Sequence, residues 1–271
     1  MYKKSDLSRY TDGFTSCNLD ELNSRAAMMT RIDNKYILKS NDLLSLKTTL
    51  AEKFDVLEIK RERGFNYATR YFDDPERSAY YEHHQGRRKG FKVRIRRYLE
   101  AGLCYVELKM KEKRGTTIKQ RLDYDFDGYE TLSPEALQFV KNGYQTHYGK
   151  PFGYKVQAVL DIEYQRLTLV SKDGAERMTI DTDLVFNNGQ RRLEAEDGLF
   201  IVETKSENGR GYADKCLRSN HLYPAKRCSK YCIGMAALSE VTRFNHFLPT
   251  MRKLQILEMP VENTGYQALA A

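Results

Sequence analysis

Phe91-Lys92-Val93-Arg94-Ile95-Arg96 alternates apolar with basic residues, and the rhythm returns in Tyr105-Val106-Glu107-Leu108-Lys109, in Arg177-Met178-Thr179-Ile180-Asp181 and in Ile201-Val202-Glu203-Thr204-Lys205. A period of two sends successive side chains to opposite faces of a strand, so each segment predicts one aliphatic face and one charged face. An antiparallel sheet with a solvated face alternates in the same way. What sets this chain apart is the sign, because Lys92, Arg94, Arg96, Lys109, Lys119, Arg121, Arg166, Arg177 and Lys205 all fall on alternating positions. Like charges two residues apart stand roughly 6.6 Å from each other and repel by about 2–3 kcal/mol at an effective dielectric near 20. Salt screens that cost on an open surface and much less inside an enclosed one. Such a wall needs a polyanion.

The 271 residues, 41% hydrophobic and 30% charged with a net charge of +8, describe a soluble globular chain whose partners are anionic. With no internal repeat, low-complexity tract or break in composition, a single domain over residues 1–271 is expected, its core at about 28–245. No apolar run reaches the length of a membrane-spanning helix and no signal-peptide core follows Met1, which predicts a cytoplasmic protein. The five cysteines are odd in number and lack CxxC spacing, which argues against a zinc site. Cys228 and Cys232, one helical turn apart, read as small core residues. His83-His84 reads as a polar turn in a stretch rich in Gly and Arg, with metal ligation as the alternative.

Outward from the opening stretch, the pattern predicts strands over 31–38, 67–72, 91–98, 103–111, 116–126, 155–170, 177–184 and 199–206. Glu100-Ala101-Gly102 forms a hairpin turn between the third and fourth, and Asp73-Asp74-Pro75 stops the second. Helices are expected over about 13 residues from Ser40, from Ser133-Pro134 to about Tyr148, over 211–220 and over 229–239. Residues 80–90 read as a basic connection, and the segment before Ala27 as a short helical or irregular lead-in. Strands interrupted by occasional helices, without regular βαβ alternation, predict an α+β fold built on an antiparallel sheet. Closing seven to nine strands into a β-barrel would turn the charged faces inward and leave the apolar faces for the helices.

Taken together, Arg31-Ile32-Asp33-Asn34-Lys35-Tyr36, Lys92-Val93-Arg94-Ile95-Arg96-Arg97-Tyr98, Val106-Glu107-Leu108-Lys109, Tyr164-Gln165-Arg166, Arg177-Met178-Thr179-Ile180-Asp181, Val202-Glu203-Thr204-Lys205 and Ser229-Lys230-Tyr231 form an ordered set spanning roughly residues 30 to 240. This set resembles the VTC (vacuolar transporter chaperone) domain, the polyphosphate polymerase branch of the triphosphate tunnel metalloenzymes, related to the CYTH-like enzymes. The resemblance implies a closed antiparallel β-barrel of about eight strands, with flanking helices and a bore that binds triphosphate or polyphosphate. It implies a catalytic wall of Lys35, Arg94, Arg96, Lys109, Arg166 and Arg177, further phosphate contacts from Arg31, Lys119, Lys205, Arg227 and Lys230, and Glu203 as the metal-binding carboxylate. Asp33 is either a second metal ligand or an ion-pair partner, and Glu107 is open between the same two roles. The chain departs from the Glu-x-Glu-x-Lys of the CYTH-type hydrolases at Arg31-Ile32-Asp33-Asn34-Lys35, where an arginine replaces the first carboxylate.

The activity so implied is a Mn²⁺- or Mg²⁺-dependent phosphotransferase that passes the terminal phosphoryl group of ATP to a polyphosphate chain, as a free-standing version without a membrane span. An inorganic or nucleoside triphosphatase on the same scaffold is the alternative enzyme. A non-catalytic polyanion or RNA binder is the alternative of another class, but RNA modules display aromatics on the sheet face, whereas Val, Ile, Leu and Met are interleaved here, so no nucleic acid is expected.

Overall fold

The computed structural model describes residues 6–25, 32–112 and 116–259. Twelve strands of these residues belong to one sheet: β1 Ser16–Cys17, β2 Ile32–Lys39, β3 Phe54–Leu57, β4 Phe65–Asp73, β5 Phe91–Tyr98, β6 Leu103–Lys111, β7 Thr117–Asp123, β8 Gln157–Ser171, β9 Glu176–Asn187, β10 Arg192–Glu194, β11 Leu199–Ser206 and β12 Leu257–Met259. The helices are α1 Ser8–Thr11, α2 Leu19–Arg25, α3 Ser40–Lys53, α4 Ser78–His84, α5 Pro134–Tyr148, α6 Tyr212–Ser219, α7 Lys230–Ala237 and α8 Leu248–Leu254. None of them is long and apolar enough to cross a membrane.

An antiparallel path of eight strands, β7-β6-β5-β4-β8-β9-β11-β2, carries the architecture. The predicted inversion holds along it. Phe91, Val93 and Ile95 of β5 pack outward against Ala136, Val140 and Tyr144 of α5. Tyr36, Leu38, Met178, Ile180, Phe200 and Val202 of β2, β9 and β11 pack outward against Leu43, Leu46 and Leu50 of α3 and Ala213 and Leu217 of α6. Helices therefore cover the convex side and the charged residues line the concave one. On the concave side lies α7, with Tyr231 stacked on Tyr71 of β4 at 4.9 Å and Cys232, Ile233 and Met235 buried beside it.

Local chemistry sets the turns and helix ends. Gly102 takes φ +62° in the β5–β6 hairpin, a conformation that costs glycine nothing. Ser133 Oγ accepts the Ala136 amide at 3.1 Å to open α5, with Pro134 in the first turn and Gly149 in the left-handed conformation past its end. At α3 the helix starts at Ser40 itself, with the Lys39 amide bonded to the Asp42 carboxylate at 2.8 Å.

The expectation of a closed barrel is corrected. Among the described residues β2 pairs only with β11 and β7 only with β6, so the curved sheet has two free edges and the bore is a trough. Both edges carry cations, Lys35 on one and Lys119 and Arg121 on the other. The short strands β1, β3, β10 and β12 also lay outside the sequence pattern; β3 starts at Phe54, where only the end of a helix was expected. Residues 78–84 form α4 where a basic connection and a polar turn at His83-His84 were expected. Asp73 and Asp74 explain it: the Asp73 carboxylate accepts the Ala79 and Tyr80 amides and Asp74 accepts that of Ser78, which satisfies the free N–H groups of a helix start. Cys228 and Cys232 are buried and free, as small core residues.

Candidate active site

Strand register lays the concave charges out in rows. Lys92, Lys109 and Lys119 stand side by side across β5, β6 and β7. In the next row Tyr71, Arg94, Glu107 and Arg121 follow one another from β4 to β7. On the other half of the trough, Lys35, Glu203, Thr179 and Thr168 form one row and Asp33, Lys205 and Arg177 another, with Arg166 opposite Asp181 beside them.

Glu107 is the hub of the first half. Its carboxylate is fully buried and receives Arg94 Nε at 2.7 Å, Lys119 Nζ at 3.3 Å, and more distantly Arg96 at 3.9 Å and Arg121 at 4.0 Å. Burial by itself pushes this carboxyl up, but Arg94, Arg96 and the lysines outweigh it and hold it well below the usual range. Arg94 also donates to Tyr71 Oη at 2.9 Å, and Arg96 donates to Thr69 Oγ1 at 3.1 Å. Asp181 is the hub of the second half. It chelates the Arg166 guanidinium through two bonds of 2.5 and 2.8 Å and accepts the Lys230 ammonium from the start of α7, and it too stays ionised below the usual carboxylate range despite burial.

These pairs leave cations over. Lys92 meets only the Ser229 hydroxyl, at 3.0 Å, and the face of Tyr231; Lys109 makes no ion pair or hydrogen bond among the described residues. Burial, with Arg94 and Arg96 as the next causes, drives Lys109 well below the ordinary lysine value, and burial lowers Lys92 as well. Lys119 falls to about 8, again chiefly by burial. An ammonium held without a counter-ion in such surroundings costs free energy unless an anion arrives.

Aromatic rings fill the space between the cations. Arg166 lies over Tyr67 and Tyr164 at 5.0 and 5.2 Å, Lys230 over Tyr164 at 5.0 Å and Arg94 over Tyr71 at 5.7 Å. The Tyr164 hydroxyl is buried without a hydrogen-bond partner among the described residues. The sequence pattern missed this layer, together with Asp181 as an anionic hub. A signal was present: Tyr67, Thr69 and Tyr71 alternate as the basic residues do, and Tyr164 stands two residues from Arg166.

The expected site residues are thus placed as follows. Lys35, Arg94, Arg96, Lys109, Lys119, Arg166 and Lys230 line the trough. Arg177 stands in its Lys205 row. Lys205 bridges the carboxylates Asp33, at 3.2 Å, and Glu203, while Glu203 also meets Lys35 at 3.4 Å. Arg227 is exposed in a left-handed turn before α7, donating to the His83 carbonyl at 3.4 Å near the Lys92 end of the trough. Arg31 lies outside the described residues. His83 and His84 join no metal-binding cluster, and no group of three or more His, Cys, Asp or Glu residues converges for a metal among the described residues.

Asp33 and Glu203 nevertheless reach one common cation, the Lys205 ammonium. Two carboxylates around a cation-sized position are a hard-oxygen donor set of the kind that suits Mg²⁺ or Mn²⁺ once phosphate oxygens and water complete the shell. Glu107, with four cations around it, has no such vacancy of charge.

Comparison with solved structures returns similar proteins, the first of which shares the fold. A Hippeastrum protein assigned as an adenylyl cyclase, with a dominant triphosphatase activity, aligns with a TM-score of 0.52 at 14% identity, over 77% of this chain and 96% of its own. A protein from Pyrococcus horikoshii OT3 aligns at 16% identity with a TM-score of 0.45, over 78% of this chain and 99% of its own. A Bacillus halodurans protein assigned as an adenylate cyclase gives 11% and 0.39, over 89% and 98%. Comparison with curated proteins finds no match. The model of the VTC domain family matches residues 30–239, the span that contains the whole charged trough from Lys35 to Lys230. The chain belongs to the VTC domain family.

Proposed function

We propose that the chain is a metal-dependent polyphosphate polymerase, passing the terminal phosphoryl group of ATP to a polyphosphate chain lying in the trough. The observation that carries this reading is the row Lys92, Lys109 and Lys119: three ammonium groups side by side with one carboxylate, Glu107, within reach of one of them. A row like that is stabilised by a ligand with regularly spaced negative charges.

In this reading Arg94, Arg96 and Arg166 present guanidinium forks to phosphate oxygens, their planes fixed by Glu107, Thr69 and Asp181. Lys92, Lys109 and Lys230 supply mobile point charges, and the Tyr164 hydroxyl supplies a hydrogen bond. Lys35, Lys119, Lys205 and Arg177 extend the wall toward the free edges. Asp33 and Glu203 would hold Mn²⁺ or Mg²⁺, displacing Lys205 toward the phosphates; the bound ion would neutralise oxygens of the nucleotide's phosphates. The terminal oxygen of the chain attacks the γ-phosphorus, the bond to the β-phosphate oxygen breaks, and ADP leaves. No side chain acts as nucleophile, so the protein's contribution is positioning and charge.

The test is the ratio of ADP to orthophosphate released from ATP with Mn²⁺ or Mg²⁺, run beside Glu203→Gln. Transfer yields ADP with little orthophosphate, and both fall in the variant. Equal amounts of ADP and orthophosphate would make water the acceptor and the chain a triphosphatase, the activity reported for the Hippeastrum protein. No turnover would leave a binding module.

A further inference from the structure

At the end of the trough marked by Lys92, a second set of cations forms no ion pair among the described residues. Arg87, Arg88 and Lys89 follow α4 on an exposed loop, Lys111 ends β6, and Arg227 projects from the turn before α7. None of the five pairs with a carboxylate among the described residues. Their contacts are neutral: Lys111 Nζ donates to the Arg87 carbonyl at 3.1 Å, Lys89 Nζ to the Tyr148 carbonyl at 3.4 Å, Arg227 to the His83 carbonyl at 3.4 Å and Arg87 Nε to Gln85 Oε1 at 2.8 Å. Carbonyls at a helix end supply partial charge only.

The set is continuous with the trough. Lys92, in the lysine row, and Lys111 stand on adjacent strands, and the Ser229 hydroxyl that Lys92 meets lies two residues from Arg227. His83 sits where these groups converge. Its imidazole is held neutral, lowered to about 2, first by Lys92, then by burial and by Lys111, Arg227 and Lys35. Neighbouring cations of one sign, with a neutral histidine among them, describe a positive field that among the described residues only the Glu82 carboxylate offsets, acting at a distance on Arg87 and Lys111.

We propose that this apron of Arg87, Arg88, Lys89, Lys111 and Arg227 is a second binding segment for the same linear phosphate chain, engaging the part that projects from the trough. The inference rests on the reading of the trough as a phosphate-chain site and adds to it a preference by length. A triphosphate is confined to the trough, whereas long-chain polyphosphate reaches the apron as well. Two segments on one ligand raise affinity through the high local concentration of the second.

The experiment is calorimetric titration of tripolyphosphate and of long-chain polyphosphate, without ATP, into the wild-type chain and into the triple variant Arg87→Gln, Arg88→Gln, Lys89→Gln. These three side chains are exposed and touch no residue of the trough wall. The expected result is a loss of about tenfold in affinity for the long chain and none for tripolyphosphate, three surface contacts being worth roughly that much. An unchanged long-chain affinity, or an equal loss at both lengths, would overturn the apron. Independently of any variant, the wild-type chain should bind the long polymer with a steeper salt dependence than tripolyphosphate; equal slopes would also overturn it. Failure of the trough reading looks different, since tripolyphosphate would then not bind at all.

Discussion

Lys109 concentrates the conflict between stability and binding in one side chain. It is half-buried beside Arg94 and Arg96, with no ion pair or hydrogen bond among the described residues and only the more distant Glu107 to offset them, so its charge opposes folding and favours an anionic ligand. Lys109→Met keeps the length of the side chain and removes the charge. It is expected to raise stability by about 1 kcal/mol, a melting shift of roughly 2–4 °C, while lowering tripolyphosphate affinity by about tenfold. A thermal melt and a titration on the same sample check both signs. Glu107 is the opposite case. Glu107→Gln leaves Arg94 and its neighbours without their counter-charge and is expected to cost about 3–5 kcal/mol in denaturant unfolding. Because Glu107 is held below its ordinary 4.5 in the folded chain, its stabilisation is complete above that value and is lost progressively as the pH falls below it. The variant's stability should accordingly vary less with pH in that acid window than the wild type's. Lys119 gives the alkaline counterpart: at about 8 it discharges as the pH rises past that value, so phosphate affinity should fall there. Its depressed value means the unfolded chain binds the proton more tightly, so over the window from about 8 to its ordinary 10.5 the group's contribution to stability rises as affinity falls.

At the scale of elements, α7 is the part that joins packing to chemistry. It carries Ser229 at its cap and Lys230 in its first turn, and it is fixed by Tyr231, whose hydroxyl donates to the buried Asp73 carboxylate. That same carboxylate caps α4, so one residue at the end of β4 sets two helices. Gly234 lets α7 lie close to the sheet: a Cβ there would stand 2.7 Å from Phe186 and 2.8 Å from Leu160, both in the packed core. Gly234→Ala is expected to destabilise by about 1–3 kcal/mol, less the fraction regained from helix propensity. Since the helix must shift to admit the methyl group, phosphate affinity should fall with it; a stable variant with unchanged affinity would show that α7 does not position Lys230. The strands of the trough were legible in the sequence because Phe91 to Arg96 and its repeats keep strict alternation against a biased charge. The α4 helix was not, because its start is capped from Asp73 and Asp74, which read only as the stop of a strand.

For the molecule as a whole, the trough exists because a curved sheet faces its aliphatic side to helices and its cations to one another. Exposure follows this geometry: the Arg94 side chain is 8% exposed in the middle of the path, whereas Lys35 at one free edge is 32% and Arg121 at the other 48%. Sequence alternation foretold which residues face inward, but not whether the edges meet, since edge pairing depends on two strands far apart in the chain. The pairing of Lys205 with Asp33 was likewise beyond it, because it arises only when β2 and β11 lie in register. The central claim is that Lys92 and Lys109, which form no ion pair among the described residues, hold a growing phosphate chain. Its most direct test is a chain-length-resolved gel of the products made from ATP and Mn²⁺ or Mg²⁺ by the wild type and by the Lys92→Met, Lys109→Met double variant. The account predicts long chains from the wild type and few or none from a variant that remains folded. Orthophosphate alone from the wild type, or undiminished chains from the variant, would contradict it.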